Sequence, residues 1–131
     1  MADKLNQVAI RMIEQPPLLS KEPMDSPEAA IRVMQEFLSE MDRELFCIVN
    51  LQSDLKPINM NIVSVGALNQ SLTHPREVFK SAILSNAAGI LMIHNHPSGN
   101  LAPSKEDIYI TERLRQAGEL LGIQLFDHNI K

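Results

Sequence analysis

Two short apolar runs constrain the fold more than any other feature of this sequence. Residues 45–49 read LFCIV and residues 89–93 read GILMI, and neither run contains a charged side chain. A buried strand is typically a near-continuous apolar run of this length, whereas a half-exposed strand alternates apolar and polar residues. We therefore predict that both runs are buried strands of one sheet.

A hairpin and a helix are predicted around the first of these runs. Residues 58–62 alternate isoleucine or methionine with asparagine, which is typical of a half-buried strand. With polar turn residues at 52–54, this pattern predicts a hairpin over residues 45–65. Upstream, Ser26 is followed by a proline and by apolar residues at three- and four-residue spacing, so a helix is predicted to begin there.

Two more helices and a last strand are predicted in the second half of the chain. Pro75 opens the first of these helices, and Ser104 begins the second, which ends at Gly122. A last strand is predicted at residues 123–127. The order α-β-β-α-β-α-β indicates an α/β fold, a mixed β-sheet flanked by helices, which ends in a right-handed strand-helix-strand unit. The buried face of the last helix is predicted to comprise Ile108, Thr111, Leu114, Ala117 and Leu121.

The length of 131 residues fits one domain, here preceded by an arm. Prolines at positions 16, 17 and 23 exclude a long helix in residues 1–25, which are predicted to form an N-terminal arm. The apolar residues in its first part could pack as a strand or a short helix. Residues 26–131 are predicted to form the domain. The whole chain has 44% hydrophobic and 21% charged residues, as in an ordinary soluble globular protein.

The net charge and the single cysteine limit which binding partners and which cellular location we expect for this protein. The net charge is −4 and the basic residues are scattered rather than arranged in a stripe, so direct DNA binding is not expected. No apolar run approaches the ~20 residues that span a bilayer, and charged residues interrupt the start, so neither membrane contact nor secretion is predicted. The single cysteine, Cys47, cannot form an internal disulfide, and we expect a cytoplasmic protein.

Two of the four histidines lie at the end of the second apolar run, and an aspartate follows in the next helix. Alternate residues of a strand point the same way, so a strand that continues through His96 would project His94 and His96 from one face. A short loop could bring Asp107 to both rings. Two imidazoles and a carboxylate would leave the fourth coordination position of a metal ion open, as in catalytic zinc sites. The same set suits Fe(II) in a non-haem oxygenase, although the order of these ligands does not favour that alternative.

The same residues also have a purely structural interpretation. Ser104-x-x-Asp107 is a helix-start signal, in which the serine caps the helix and the carboxylate lies near the positive end of the helix dipole. A pair of histidines with this spacing also occurs by chance at strand ends. All of these residues together favour a metal site, and the two interpretations of Ser104 are compatible, because a capping hydroxyl can still face such a site.

The segment from residue 94 to residue 107 resembles a known signature. The letters HNHPSG at 94–99, followed by Pro103-Ser104-x-x-Asp107, are similar to the JAMM signature of JAB/MPN metallopeptidases, and most closely to the RadC-like JAB branch. The likeness continues in HPREVF at 74–79 and extends over about residues 27–130. It implies the JAB/MPN fold, a three-layer, cytidine-deaminase-like architecture. Proteins of this branch usually have an N-terminal helical domain and a further strand beyond this segment.

The resemblance also implies a role for each site residue. His94, His96 and Asp107 would bind Zn²⁺, and Ser104 would help to hold the bound water or the developing oxyanion. The general base of the family is a glutamate at the start of the strand after the first helix, a position that falls on Glu44. Attack of hydroxide on an amide needs such a carboxylate to take and return a proton. The structural alternative for this glutamate is a solvated residue at a helix-strand junction.

The function implied by the resemblance is that of a JAMM-type zinc metallopeptidase, which cleaves peptide or isopeptide bonds in a protein or peptide substrate. The main alternative is a non-enzymatic JAB-like scaffold in a DNA-repair or mobile-element assembly. Glu77 is the rival base, although the dipole of the helix that starts at Pro75 explains its position. Structural roles are predicted for three other residues: His74 at a helix start, His128 at a strand end, and Cys47 as a core thiol.

Overall fold

The structure, a computed structural model, describes residues 3–66 and 73–130, apart from the side chains of residues 127–130. None of the helices in these residues is both long enough and apolar enough to cross a membrane. In chain order the elements are α1 (Pro27–Ser39), β1 (Leu45–Leu51), β2 (Pro57–Val65), α2 (Pro75–Val78), α3 (Lys80–Leu84), β3 (Gly89–His94), α4 (Lys105–Leu121) and β4 (Gln124–Ile130).

The four strands form one mixed sheet in the order β2-β1-β3-β4. β1 pairs antiparallel with both β2 and β3, and β3 pairs in parallel with β4. The α/β class, the mixed sheet and the predicted hairpin are therefore confirmed. The register places Phe46 opposite His94, so the start of β1 lies beside the end of β3.

The two central strands bury both of their faces. Phe46 and Ile48 of β1 belong to one hydrophobic cluster, whereas Cys47 and Val49 belong to another. The first cluster includes residues of α2, α3 and α4, and the second includes residues of α1. Since alternate residues of a strand share a face, the sheet is the middle of three layers, and this explains why both apolar runs lack alternation.

Helix α4 buries a different face from the one predicted. Ile108 and Leu121, which were expected to be buried, are 59% and 48% exposed. The predicted face was therefore wrong at these two positions and right at Leu114, because the line that the rest of the protein covers includes the polar Asp107 and the small Gly118 and leaves Ile108 and Leu121 outside it. The residues that α4 does bury lie on one line along the helix and are Asp107, Ile110, Leu114 and Gly118.

Two glycines explain how α4 joins β4. A Cβ atom at Gly118 would overlap the carbonyl oxygen of Ile123, so only glycine allows the helix to approach the start of the strand this closely. The predicted helix end is confirmed at Gly122, which adopts a left-handed conformation with φ 72°. Together these residues return the chain directly from the helix into the sheet.

Two further expectations about local structure differ from what is observed. Within the described part of the arm, residues 3–25 form no helix or strand, and Leu5 and Val8 are 97% and 81% exposed. The expectation that this part packs was therefore wrong, because it makes too few buried contacts to hold a regular element. The helix that begins at Pro75 is confirmed, but it is divided into α2 and α3 at Phe79.

Candidate metal centre

His94 is the last residue of β3, and the alternation of the strand determines where its ring points. Ile90 and Met92 face the layer that contains α4, so His94 faces that layer as well. Its side chain is 1% exposed and lies beside Phe46, with 6.4 Å between the ring centroids. The imidazole is thus buried between the sheet and the first turn of α4.

β3 ends at His94, so the strand does not continue through His96. Pro97, which has no N–H to offer a sheet, follows it directly. The two rings nevertheless converge, with 3.0 Å between the Nε2 atoms of His94 and His96. The Nδ1 atom of His96 lies 2.6 Å from the carbonyl oxygen of Asn100. Because a carbonyl can only accept, Nδ1 is the donor of this bond, and Nε2 is the ring atom that could bind a metal ion.

Asp107 joins this group from the start of α4. Its Oδ1 lies 3.2 Å from Nε2 of His94, and its Oδ2 lies 3.3 Å from Nε2 of His96. A capping box holds it there: Oδ2 accepts from the Ser104 N–H at 2.7 Å, and the Asp107 N–H donates to the Ser104 hydroxyl at 3.0 Å. Burial alone would raise the pKa of Asp107, but hydrogen bonds from Ser104 and the nearby imidazoles lower it overall, so the carboxylate is ionised at neutral pH.

These three side chains could hold one metal ion. One ligand atom from each of His94, His96 and Asp107 lies within 4.8 Å of the others, and no other group of this kind is found among the described side chains, those of residues 3–66 and 73–126. Electron-pair donors that converge in a buried place repel one another unless a proton or a cation lies between them. The cluster therefore fits a cation that accepts nitrogen and oxygen ligands, as zinc does.

A cleft of about 410 Å³ opens onto this cluster. Its lining includes His96 and Asp107 together with Glu44 and Ser104, the two residues that the resemblance implies act in catalysis. Glu44 is half-buried just before β1, and Ser104 is exposed at the start of α4. The other lining residues belong to the loop before α4 and to the first turn of α4, and are Ser98, Asn100, Ala102, Pro103 and Glu106.

Glu77, the rival base, lies in a different environment. It is absent from the described residues that line the cleft. Its carboxylate is 2.8 Å from Nζ of Lys80, and this hydrogen bond together with nearby positive charge lowers the pKa of Glu77. The structure thus gives this glutamate an ion-pairing role at the surface.

The other histidines and the cysteine lie apart from the cluster where they are described. His74 caps α2, with its Nδ1 accepting from the Arg76 N–H at 3.0 Å, as predicted. Cys47 is completely buried in β1, and burial raises the pKa of its thiol to about 12, so it is a core residue as predicted. The side chain of His128 lies outside the described residues.

One residue of the site was not recognised in the sequence. Asn95, between the two histidines, is 2% exposed. Its Oδ1 accepts from the Leu45 N–H at 2.7 Å, and its Nδ2 donates to the Arg43 carbonyl at 2.9 Å. The sequence feature that could have identified Asn95 is its position directly after a buried strand. An amide side chain at that point can both donate and accept hydrogen bonds, where the hydrogen bonds between the strands end.

Comparison of the sequence with known proteins identifies a family that matches this chain. The family model for the RadC-like JAB domain matches residues 24–131. A UPF0758 protein of Thermotoga maritima is 47% identical over 109 residues, which cover 83% of this chain and 49% of the relative. A UPF0758 protein of Methanosarcina mazei is 43% identical over 110 residues, which cover 84% and 48%. The chain spans about half the length of the curated relatives it matches.

We predict that the protein, stripped of metal and offered zinc, binds one zinc ion per chain, and that His94→Ala, His96→Ala and Asp107→Ala each abolish this binding. His74→Ala is the matched control, because it removes a histidine that caps a helix away from the cluster. Equilibrium dialysis with elemental analysis measures the bound metal. Wild-type protein that binds clearly less than one zinc per chain would contradict the metal interpretation.

The same samples also show whether the bound metal ion is needed for folding or only for function. Both hydrophobic clusters form without any of the three ligands. We therefore expect the chelated protein to keep its circular dichroism spectrum and its cooperative unfolding. Complete unfolding on chelation would mean that the metal is needed to build the fold.

Proposed function

Because the chain belongs to the RadC-like JAB domain family, we propose that it is a zinc-dependent hydrolase that cleaves peptide or isopeptide bonds. The observation that carries the proposal is that Glu44 and Ser104 line the same cleft as His96 and Asp107. A carboxylate and a hydroxyl beside a three-ligand cluster are the groups that amide hydrolysis needs. The proposed substrate is a protein or peptide segment, and a reducing, cytoplasmic location suits the free thiol of Cys47.

The chemistry of the donors supports zinc as the ion. His94, His96 and Asp107 would hold it, and three protein ligands leave one position of a tetrahedral ion open. A zinc ion bound there would acidify a water molecule and polarise the carbonyl group of a substrate amide. The hydrogen bond between His96 Nδ1 and the Asn100 carbonyl would keep that ring in the orientation and tautomer that a ligand needs.

Glu44 is the proposed general base. Its side chain lines the cleft but is not one of the three clustered residues, so its carboxylate remains available for proton transfer. It would take a proton from the attacking water and return that proton to the amine that leaves when the C–N bond breaks. One carboxylate can do both, because it becomes an acid by accepting the first proton.

Ser104 is proposed to stabilise the oxyanion that forms on the substrate carbonyl. Its Oγ accepts from the Asp107 N–H, and its own N–H donates to the Asp107 carboxylate. Neither of these bonds uses the hydroxyl hydrogen, which can rotate and donate to negative charge that develops in the cleft. The capping box would thus hold a donor beside the reacting carbonyl before the substrate arrives.

The shape and charge of the cleft support a short extended segment as the substrate. Its volume of about 410 Å³ accommodates a few residues rather than a folded domain. Among the described lining residues, Glu44 and Glu106 are acidic in addition to the proposed metal ligand Asp107, and none is a lysine or arginine, so the three carboxylates would exceed the charge of one bound Zn²⁺. We therefore propose that a neutral or basic residue beside the scissile bond is accepted more readily than an acidic one.

We predict that Glu44→Gln lowers kcat by ~10²–10⁴-fold without loss of bound zinc, because the amide keeps the shape of the side chain but cannot accept the proton. Glu77→Gln makes the same change at the residue paired with Lys80 and should leave the rate unchanged. The assay incubates zinc-loaded protein with a library of peptides and isopeptides and identifies cleavage products by mass spectrometry.

The opposite result, in which Glu77→Gln abolishes cleavage and Glu44→Gln spares it, would show that the base is assigned wrongly. If the zinc-loaded wild type cleaves no member of the library, a non-enzymatic scaffold function becomes the better account of the domain.

A second prediction concerns Ser104, for which helix capping and catalysis can be separated. Aspartate and threonine both cap helices, so Ser104→Asp and Ser104→Thr should each change the free energy of unfolding by less than ~1 kcal/mol. Ser104→Asp removes the donor and adds charge, so it should lower kcat by ~10²–10³-fold, whereas Ser104→Thr retains a hydroxyl and should retain most activity. A stable and fully active Ser104→Asp protein would remove this residue from the mechanism.

A further inference from the structure

The side chain of Asn95, which is 2% exposed, makes two hydrogen bonds to a single short segment of backbone. Its Oδ1 accepts from the N–H of Leu45, and its Nδ2 donates to the carbonyl of Arg43, at 2.7 and 2.9 Å. These two groups flank Glu44 on either side. The amide therefore spans the residue whose side chain lines the metal cleft.

A third hydrogen bond fixes the same residue from the opposite side. The Gly66 N–H donates to the carbonyl of Glu44 at 2.7 Å, where β2 ends beside the start of β1. The backbone on both sides of Glu44 is thus bonded, to Asn95 in one direction and to Gly66 in the other. Movement of this backbone away from the cleft would leave buried donors and acceptors without partners, which is costly.

We propose that Asn95 is a positioning residue, which holds Glu44 at a fixed distance from the metal ligands; the proposal rests on the hydrolase function proposed above. Asn95 lies in the chain between His94 and His96, so the residue that fixes the base is covalently joined to two of the three ligands. The amide side chain is needed because only a group that donates and accepts at once can bond both an N–H and a carbonyl. Asn95 touches neither the substrate nor the metal in this account and acts only through Glu44.

The first test measures the position of Glu44 without any substrate. The variant Asn95→Ser leaves room for a water molecule. In this variant the amide hydrogen of Leu45 should exchange with solvent at least ~10-fold faster than in the wild type, with the amide of Ile48 as the internal reference. In cobalt-loaded protein the paramagnetic shift of the Glu44 amide should also change, while the affinity for zinc stays the same. Asn50→Ser is the matched control, because it alters another buried asparagine, which lies within β1 opposite Ile90.

The second test is a double-mutant cycle on the activity. Asn95→Ser should lower kcat by ~10–10²-fold with little change in KM, since a small displacement of a catalytic group has an effect of this size. In a Glu44→Gln background the same substitution should cause no further loss, because Asn95 acts through a base that is already absent. Asn50→Ser should leave kcat unchanged. Asn95→Thr, of similar volume, is the second variant if Asn95→Ser does not fold.

Three results would overturn the proposal: unchanged Leu45 exchange and Glu44 shift in Asn95→Ser, loss of zinc from Asn95→Ser, or additive losses in the double variant. A wild type that cleaves nothing would instead remove the proposed hydrolase function. The amide exchange and the cobalt shift would still decide whether Asn95 fixes Glu44 beside the metal, so the two failures are distinguishable.

Discussion

One buried carboxylate, that of Asp107, connects the start of α4 to the end of β3. An ionised carboxylate that is only 2% exposed needs hydrogen-bond donors or positive charge around it, since its removal from water is otherwise costly. The N–H of Ser104 provides one such partner at 2.7 Å, and the imidazoles of His94 and His96 lie on the other side. A cation held by these three side chains would supply the remaining positive charge, and the cleft opens where these elements meet.

The sheet supplies the other half of the site. β1 and β3 pair so that Phe46 lies opposite His94, and this register places the segment before β1 beside the chain that leaves β3. Asn95 closes the gap between them by bonding both sides of Glu44. The proposed acid-base group Glu44, just before one strand, and the proposed ligand His96, just after the neighbouring strand, thus line one cleft, although about fifty residues separate them in the sequence.

The sequence predicted those parts of the fold that depend on local pattern. The runs at 45–49 and 89–93 are buried strands because each is covered on both faces, and the helix starts at Ser26 and Ser104 have the expected caps. The buried line of α4 was predicted only in part, because it contains Asp107 and Gly118, which a count of apolar residues ignores. The spacing of the proposed metal ligands could be read from the sequence. The role of Asn95 could not, because its partners are fixed by strand pairing rather than by spacing.

The central claim is that three side chains hold a metal ion with a position left open beside Glu44, and anomalous diffraction from crystals of the zinc-loaded protein tests it most directly. The account predicts one zinc peak at ~2.0–2.2 Å from Nε2 of His94, Nε2 of His96 and a carboxylate oxygen of Asp107, with no fourth protein ligand. A zinc ion bound elsewhere, or one enclosed by four protein ligands, would contradict it.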